Sequence, residues 1–350
     1  MSHPSDILSL VSEAAILVKN RKIAYMNSAA EAMLGSCTGK SLKAIFGPET
    51  ANAQGSFFIT SAVVGGKRYI LRMSKLGGEQ VLFLIPQELP PAILNEPFLC
   101  TMRNSLMSIG MAADHIRSLA EDAGQKSILA STAVLTRSYY RLIRLAENAS
   151  LVLSTAAGSP LPGECTVNFS QLCRSLIDTA AFFRPDIHFS ANLGEDISCS
   201  ANPNLLRQLI MNLISNCLVH AEGCTNISVS LSDSADSVVL SVSNDGKGIE
   251  AGKLHMAFDR FRHSFDLAEM NAGPGLGLTV VRLIAESHGG TLLLESRADR
   301  GTTVRVSFSR RPRANVSLCA PQSSTGYTRE VLISLADCLP AECYTEKYMD

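Results

Sequence analysis

The sequence lacks several features that would narrow its functional class at once. Its formal net charge is only -1 over 350 residues, without basic or acidic runs, so nothing in the charge pattern indicates binding to nucleic acid or to an anionic membrane surface. Its longest apolar runs, such as residues 81–85 and 278–285, fall well short of the roughly 20 residues needed to span a bilayer. The first residues do not resemble a signal peptide.

The sequence also lacks any Cys-x-x-Cys pair, although it has ten cysteines. Scattered over a chain of this length, they are expected to be reduced and to serve as small apolar residues of a cytosolic protein. The 46% of hydrophobic residues is enough for two or three packed cores.

Residues 7–86 are predicted to form a small α+β domain. A helix is predicted at 28–34, closed by Gly35. Strand-like runs lie at 16–19 and 22–26 before this helix and at 57–64, 68–74 and 80–85 after it, with short turns within each group. Their spacing is typical of antiparallel hairpins.

Residues 92–157 follow a helical period in two blocks, which predicts a hairpin of two amphipathic helices. The apolar positions of the first block are Met102, Leu106, Ile109, Ala113, Ile116 and Ala120. Those of the second block are Leu135, Leu142, Leu145, Ala149 and Val152. Each seam is narrow, which favours pairing with a second copy into a dimeric bundle.

Residues 165–310 alternate helices and strands and contain the first chemically informative pattern. In LLRQLIMNLISNCLVH, residues 205–220, polar side chains recur every four positions: Gln208, Asn212, Asn216 and His220. The rest of this helix is apolar, so its polar ridge must meet partners or a ligand, unless it is simply a solvated face. An amide oxygen suits Mg²⁺ whose charge is already balanced by phosphates.

Two glycine-containing segments add to this pattern. Asp245 ends a predicted strand and is followed by Gly246 and Gly248, so its carboxylate could accept a hydrogen bond from an exocyclic amino group; an ordinary Asp-Gly turn is the alternative. Further on, GPGLGL at 273–278 opens a helix, and free amides there can cradle phosphate. No strand precedes these glycines, which argues against a dinucleotide-binding motif.

In order along the chain, NLISNCLVHA, NDGKGI, FDRF, GPGLGL and GTTVRVSF resemble the asparagine, glycine and phenylalanine boxes of the catalytic domain of sensor histidine kinases, within the GHKL ATPase superfamily. The resemblance implies a Bergerat-type α/β sandwich that binds ATP, with Asn216 as Mg²⁺ ligand, Asn212 and His220 beside the triphosphate, and Asp245 reading adenine. It further implies an ATP lid at 262–272. The other implied nucleotide contacts are Gly246, Gly248, Gly273, Gly275, Leu276, Gly277 and Thr302.

The upstream regions then follow the order of that family, with residues 7–86 resembling a PAS sensor domain and 92–157 the dimerisation and phosphotransfer domain. The pattern breaks at the phosphoacceptor, where Cys100 replaces the histidine and Thr101 replaces its acidic neighbour. A thiol is nucleophilic only as thiolate, whereas imidazole is nucleophilic at neutral pH. His115 is the only histidine in either long helix.

Four functions are therefore considered, and the first, a cytosolic two-component sensor histidine kinase homologue that binds ATP with Mg²⁺, is preferred. The chain is an ATP-binding homologue that acts as a regulatory partner, an active kinase that uses His115 or a histidine on another protein, a gyrase-like or chaperone-like ATPase, or a binding module with a vestigial pocket. Asn212 stands where the ATPases place a glutamate base, which argues against hydrolysis. The expected partners are a second copy and a response regulator or another kinase. Residues 311–350 receive no functional interpretation.

Overall fold

The computed structural model describes most of the chain. The described residues are 8, 11, 13–47, 50, 58–76, 79–86, 96–156, 165–220, 222–234, 236–249, 276–296, 300–310, 317–318 and 327–345. Within them, no helix is both long and apolar enough to cross a membrane.

The N-terminal unit is a five-stranded antiparallel sheet with two short helices, in the strand order β2-β1-β5-β4-β3. Its elements are β1 (Ala14–Lys19), β2 (Lys22–Met26), α1 (Ser28–Leu34), α2 (Leu42–Phe46), β3 (Phe58–Val64), β4 (Lys67–Leu76) and β5 (Glu79–Pro86). Asn20 and Arg21 both have positive φ, 51° and 60°, which suits the two-residue turn between β1 and β2. Helix α1 starts where Asn27 Oδ1 accepts from Ala30 N at 3.0 Å.

Two long helices follow, α3 (Glu96–Asp122) and α4 (Lys126–Ala156), and they lie side by side. Small residues allow the close approach, since a Cβ at Gly110 would overlap the Tyr139 ring. Not all of the predicted seam lies between the two helices. Leu106, Ala113 and Ala120 are buried and Met102 is partly buried, whereas Ile109, Ile116, Leu135 and Leu142 are exposed.

The second unit, residues 165–310, contains a sheet in the order β11-β12-β10-β9-β7 with three helices packed against it. Its elements are β6 (Cys165–Asn168), α5 (Phe169–Phe183), β7 (His188–Leu193), β8 (Ser198–Ala201), α6 (Pro203–His220), β9 (Asn226–Asp233), β10 (Ser237–Asn244), α7 (Leu276–Ser287), β11 (Leu292–Ser296) and β12 (Thr302–Ser309). Strands β9 and β10 alternate buried and half-buried residues, as expected for a sheet covered by helices on one face. The result is a two-layer α/β sandwich.

The sheets of the two units join at their edges. Strand β3 pairs antiparallel with β11, with Leu294 opposite Ile59, so that one sheet of ten strands runs through both units. The hydroxyl of Thr60 adds a bond to the Leu292 carbonyl at 2.7 Å. Each unit therefore covers an edge strand of the other that would otherwise expose unpaired backbone groups.

The C-terminal residues, for which the sequence predicts no role, form part of the core. They comprise β13 (Ser317–Leu318), which pairs with β6, then α8 (Thr328–Ser334) and a 3-10 helix (Ala341–Tyr344). Their fully buried side chains are Val331, Leu332, Leu335, Ala336, Leu339 and Tyr344. Helix α8 packs against both α4 and α6, so this segment, residues 327–345, joins the long helices to the sandwich.

Most of the described cysteines have free thiols, as the sequence predicts. Eight are free: Cys37, Cys100, Cys173, Cys199, Cys217, Cys224, Cys338 and Cys343. Cys165 is disulfide-bonded, so the expectation is wrong there, and its partner lies outside the described residues. The sequence could not indicate this bond, because spacing along the chain says little about which cysteines meet in space.

Candidate functional site

The polar ridge lies on α6, a largely buried helix of the sandwich. Asn202 caps this helix, with its Oδ1 accepting from Asn204 N at 2.9 Å, and Pro203 occupies the first turn. Along the ridge, Asn212 is buried and Gln208 and Asn216 are half-buried, so these three positions are not a solvated face. Asn212 is only 3% exposed, and its Nδ2 donates to the Gln208 carbonyl at 2.9 Å.

Asn216 differs from Asn212 in having an amide nitrogen that is not satisfied. Its Nδ2 is buried and has no hydrogen-bond partner among the described residues. A buried donor without a partner costs about 1–3 kcal/mol, so its presence suggests a group that binds there. His220, the last residue of α6, is exposed.

The start of α7 approaches the same ridge. A Cβ at Gly277 would lie 3.3 Å from Asn212 Oδ1 and 3.4 Å from Asn216 Oδ1, so the absence of a side chain lets the helix come this close. Leu276, the first residue of α7, is buried beside it. Backbone N–H groups in a first helical turn attract anions. Of the other predicted residues, Gly273, Gly275 and the lid at 262–272 lie outside the described residues.

Asp245 lies at the end of β10 and is tightly held. Its Oδ2 accepts from Thr225 Oγ1 at 2.6 Å, and its Oδ1 accepts from the Thr225 and Asn226 amides at 2.8 and 2.9 Å. These bonds, that of the Thr225 hydroxyl first, lower the pKa of the Asp245 carboxyl to about 2. The side chain is exposed, so an oriented, ionised acceptor faces solvent at this end of the sheet.

The segments around Asp245 are drawn together by backbone and hydroxyl contacts. Thr302 pairs with Asn244 across the sheet, and its hydroxyl lies 2.7 Å from Ser296 Oγ. Ser296 Oγ also accepts from the Ile249 amide at 2.8 Å, which ties the glycine-containing turn to the sheet.

Glycines permit this arrangement. A Cβ at Gly301 would overlap the Asn244 carbonyl, and Gly248 has φ +64°, a conformation that favours glycine. Gly246 N donates to Asn244 Oδ1 at 3.2 Å. Asp245, Gly246, Gly248 and Thr302 therefore meet at one edge of the sandwich.

Helix α4 contributes residues that the sequence did not single out. Arg144 Nη2 donates to Asn212 Oδ1 at 3.2 Å. Asn148 Oδ1 accepts from Gln208 Nε2 at 2.9 Å and from Asn212 Nδ2 at 3.3 Å. A buried asparagine between the apolar positions Leu145 and Ala149 was the available signal, since a polar group on an apolar face needs a partner.

The position that the sequence resemblance aligns with the phosphoacceptor lies near the start of α3. Cys100 and Thr101 are both exposed, and the Cys100 thiol is free. Arg103 Nη2 donates to Ser150 Oγ at 3.4 Å, so this part of α3 faces the half of α4 that contains Asn148. His115 is exposed further along the same helix.

The comparisons with known proteins centre on the sandwich. Residues 201–312 match the family described as histidine kinase-, DNA gyrase B-, and HSP90-like ATPase. Sensor protein IrlS of Burkholderia pseudomallei is 40% identical over 110 residues, covering 31% of this chain and 24% of that protein. Heme sensor protein HssS of Staphylococcus saprophyticus is 29% identical over 158 residues, covering 45% and 34%. This chain thus spans about a third or less of these relatives.

Among solved structures, the ATP-binding domain of PrrB from Mycobacterium tuberculosis is 24% identical and has a TM-score of 0.36, covering 43% of this chain and 100% of that domain. The family match covers α6, β9, β10, α7, β11 and β12, which are the elements that carry the polar ridge and Asp245. Residues 201–312 therefore form a domain of the histidine kinase-, DNA gyrase B-, and HSP90-like ATPase family, which the two sensor proteins also match.

Proposed function

We propose that residues 165–310 bind ATP together with Mg²⁺, and that the chain acts in two-component signalling. The observation that carries the proposal is the buried amide of Asn216, which has an unsatisfied Nδ2 and lies against the start of α7. A polar group in that position is costly unless a ligand completes its surroundings. A metal–phosphate group fits, because Asn216 Nδ2 can donate to a phosphate oxygen while the amide oxygen binds Mg²⁺, and helix N-termini bind phosphate.

At the other end of the proposed site, Asp245 is the adenine-reading residue. Its carboxylate is ionised and is oriented by three hydrogen bonds, so it can accept a further bond from an amino group without reorganisation. Gly246 and Gly248 leave room for a flat base, and Thr302 lies beside them.

At the phosphate end, Asn216 holds the metal, while Asn212 and His220 flank the triphosphate. Gly273, Gly275, Leu276 and Gly277 supply backbone amides. When bound, Mg–ATP supplies an activated terminal phosphoryl group.

We further propose that the chain does not phosphorylate itself in the usual way. Cys100 and Thr101 are exposed at the acceptor position, yet neither provides the imidazole nor the carboxylate that the family's reaction uses. The chain then acts as a regulatory partner of another kinase or of a response regulator. A kinase that uses His115 is the second candidate, because this histidine is exposed on the same helix as Cys100.

A homodimer through the long helices accompanies this proposal. Most of the large exposed apolar side chains of the described residues lie on α3 and α4: Met107, Ile109, Met111, Ile116, Leu119, Ile128, Val134, Leu135 and Leu142. An exposed apolar surface of this kind favours association with a second copy. The antiparallel sheet at 14–86, with helices between β2 and β3, is compatible with a PAS-like sensor.

The test is a nucleotide-binding titration combined with label transfer from γ-labelled ATP in the presence of Mg²⁺. Nucleotide binding without label on the protein is the expected result. Label that is labile in acid and stable in base would indicate an active kinase, and its loss in His115→Ala would identify the acceptor. Absence of any nucleotide binding would overturn the proposed site.

A further inference from the structure

Arg144 occupies an unusual position between three parts of the molecule. It belongs to α4, it contacts Asn212 on α6, and its Nη1 donates to Asp337 Oδ2 in the C-terminal segment at 2.8 Å. Its side chain is only 15% exposed. A guanidinium this enclosed is held in place by the fold and is not a freely moving surface group.

Among the described residues, the positive charge of Arg144 and Arg141 is balanced by only one carboxylate, that of Asp337. Asp337 also pairs with Arg141, with a distance of 3.0 Å between Arg141 Nε and Asp337 Oδ1. One carboxylate is thus shared by two guanidinium groups, which leaves a net positive charge beside the polar ridge. Burial lowers the pKa of Arg144, and Asp337 opposes this effect, so an additional anion would stabilise the charged form further.

The Asn212 amide oxygen places Arg144 next to the phosphate end of the site. That oxygen accepts from Arg144 and also lies against the start of α7 at Gly277. The guanidinium and the first turn of α7 therefore both lie next to Asn212 Oδ1, and both attract anions. Two of the five N–H donors of the guanidinium account for its bonds to Asn212 and Asp337.

We propose that Arg144 binds the terminal phosphate of the nucleotide, and that Asp337 competes with this phosphate for the guanidinium. The inference rests on the proposed nucleotide site and adds a residue from outside the ATPase domain to it. A planar guanidinium matches phosphate oxygens in pairs, whereas the Asn212 amide offers it only one acceptor. The long helix α4 would then sense whether the terminal phosphate is present.

The experiment measures the affinity of the full chain for ATP and for ADP, each with Mg²⁺, by calorimetric titration. Arg144→Gln is expected to weaken ATP binding by about 10- to 100-fold, the effect of a lost charge-assisted bond to phosphate. ADP binding should change by less than about threefold, since ADP lacks the terminal phosphate. An equal loss for both nucleotides, or no loss for ATP, would overturn the assignment.

Arg141→Gln is the matched control. Arg141 is one helical turn away and contacts the same segment, at Ala336 O and Asp337, but no bond joins it to Asn212 among the described residues. It should leave the affinity for ATP within about threefold of wild type. A loss as large as that of Arg144→Gln would mean that the segment's contacts, and not the phosphate, matter, and would overturn the inference.

Asp337→Asn tests the competition while Arg144 stays in place. ATP should bind about three- to tenfold more tightly, because the guanidinium loses its competing anion, and ADP should be unaffected. Unchanged or weaker ATP binding would overturn the competition. This variant also covers the case in which Arg144→Gln fails to fold. If wild type binds ATP and Arg144→Gln binds it equally, only this inference fails, whereas if wild type binds no nucleotide, the proposed site fails with it.

Discussion

At one end of the candidate site, the Asp245 carboxylate is held by groups 19 and 20 positions away in the chain. At the other end, the Asn212 amide contacts side chains 64 and 68 positions away. The first arrangement lies within two neighbouring strands, whereas the second brings together α4, α6 and the start of α7. The end proposed to bind the base is therefore built within the sandwich alone, whereas the end proposed to bind the phosphates depends on how the long helices dock.

We expect the contacts of Asp245 to serve nucleotide recognition and the contacts of Asn212 to serve regulation. Contacts within one sheet stay together as long as the domain is folded, because they belong to its cooperative core. Contacts between α4 and α6 can change without unfolding the sandwich, since they join separate packing units. We therefore expect changes at the base end to affect nucleotide affinity alone, and changes between helices to affect stability and coupling as well.

The largest expected effect comes from the C-terminal segment that joins the two units. Leu335 is 0% exposed and belongs to the same core as α6, so Leu335→Ala should lower the free energy of unfolding by about 2–5 kcal/mol through lost burial and a cavity. Urea denaturation measures this loss, with Ile333→Ala, a partly buried position of the same segment, as the milder control. A Leu335→Ala loss below that of Ile333→Ala would show that the segment is not part of the core.

At the end of the site proposed to bind the base, Asp245→Asn should strongly weaken nucleotide binding while the protein stays folded. Replacing the charged acceptor is expected to cost about 3 kcal/mol of binding, or about 100-fold in affinity. Binding is measured by titration and folding by circular dichroism. Asp233→Asn is the control. Asp233 is the last residue of β9, far along the strand from this turn, and its exposed ion pair with Arg310 contributes little to stability. Wild-type affinity in Asp245→Asn would contradict the assignment of the base end.

Between α4 and α6, Asn148→Ala should destabilise the protein by about 1–3 kcal/mol. The substitution removes the acceptor of Gln208 Nε2 and one of the acceptors of Asn212 Nδ2. Ser150→Ala, which loses only a long exposed bond from Arg103, should cost less than about 0.5 kcal/mol. Thermal unfolding compares the two variants. Equal and small losses would mean that the amide cluster does not hold α4 on α6.

The smallest effect concerns protonation at the base end. The Asp245 pKa is lowered to about 2 in the folded protein, below the ordinary value of about 3.9, so its contribution to stability is present above about pH 4 and is lost as the pH falls towards 2. Nucleotide affinity should therefore not depend on Asp245 protonation between pH 5 and 8. Thr225→Val removes the hydroxyl hydrogen bond that is the largest cause of the lowered pKa, so the Asp245 pKa should rise. The ¹³C chemical shift of the Asp245 carboxyl, measured against pH, reports this pKa. An unchanged pKa in Thr225→Val would show that the backbone amides suffice.

Several elements could be predicted from the sequence because their signals are local. The helix predicted at 28–34 lies at Ser28–Leu34, and the strands predicted at 57–64, 68–74 and 80–85 agree with β3, β4 and β5 within two residues. Gly35, which follows this helix with φ 70°, acts through the conformation of its own backbone, so no tertiary contact is needed to interpret it.

Other features could not be predicted, because they depend on which surfaces meet. Ile109 and Leu106 belong to the same apolar seam in the sequence, yet only Leu106 is buried between the helices. The pairing of β3 with β11 cannot be predicted from the sequence either, because every edge strand offers the same unpaired backbone groups. The apolar run at 331–339 was visible, but its partners on α4 and α6 were not.

The sequence by itself determined the polar ridge of α6, the carboxylate after β10 and the glycines that open α7, because helical period, strand ends and glycine conformation are properties of neighbouring residues. Only the tertiary structure decided that Arg144 and Asn148 reach Asn212, and that residues 327–345 join the long helices to the sandwich. These contacts join residues far apart in the chain, and the free energy that selects them comes from burial, which no local pattern encodes.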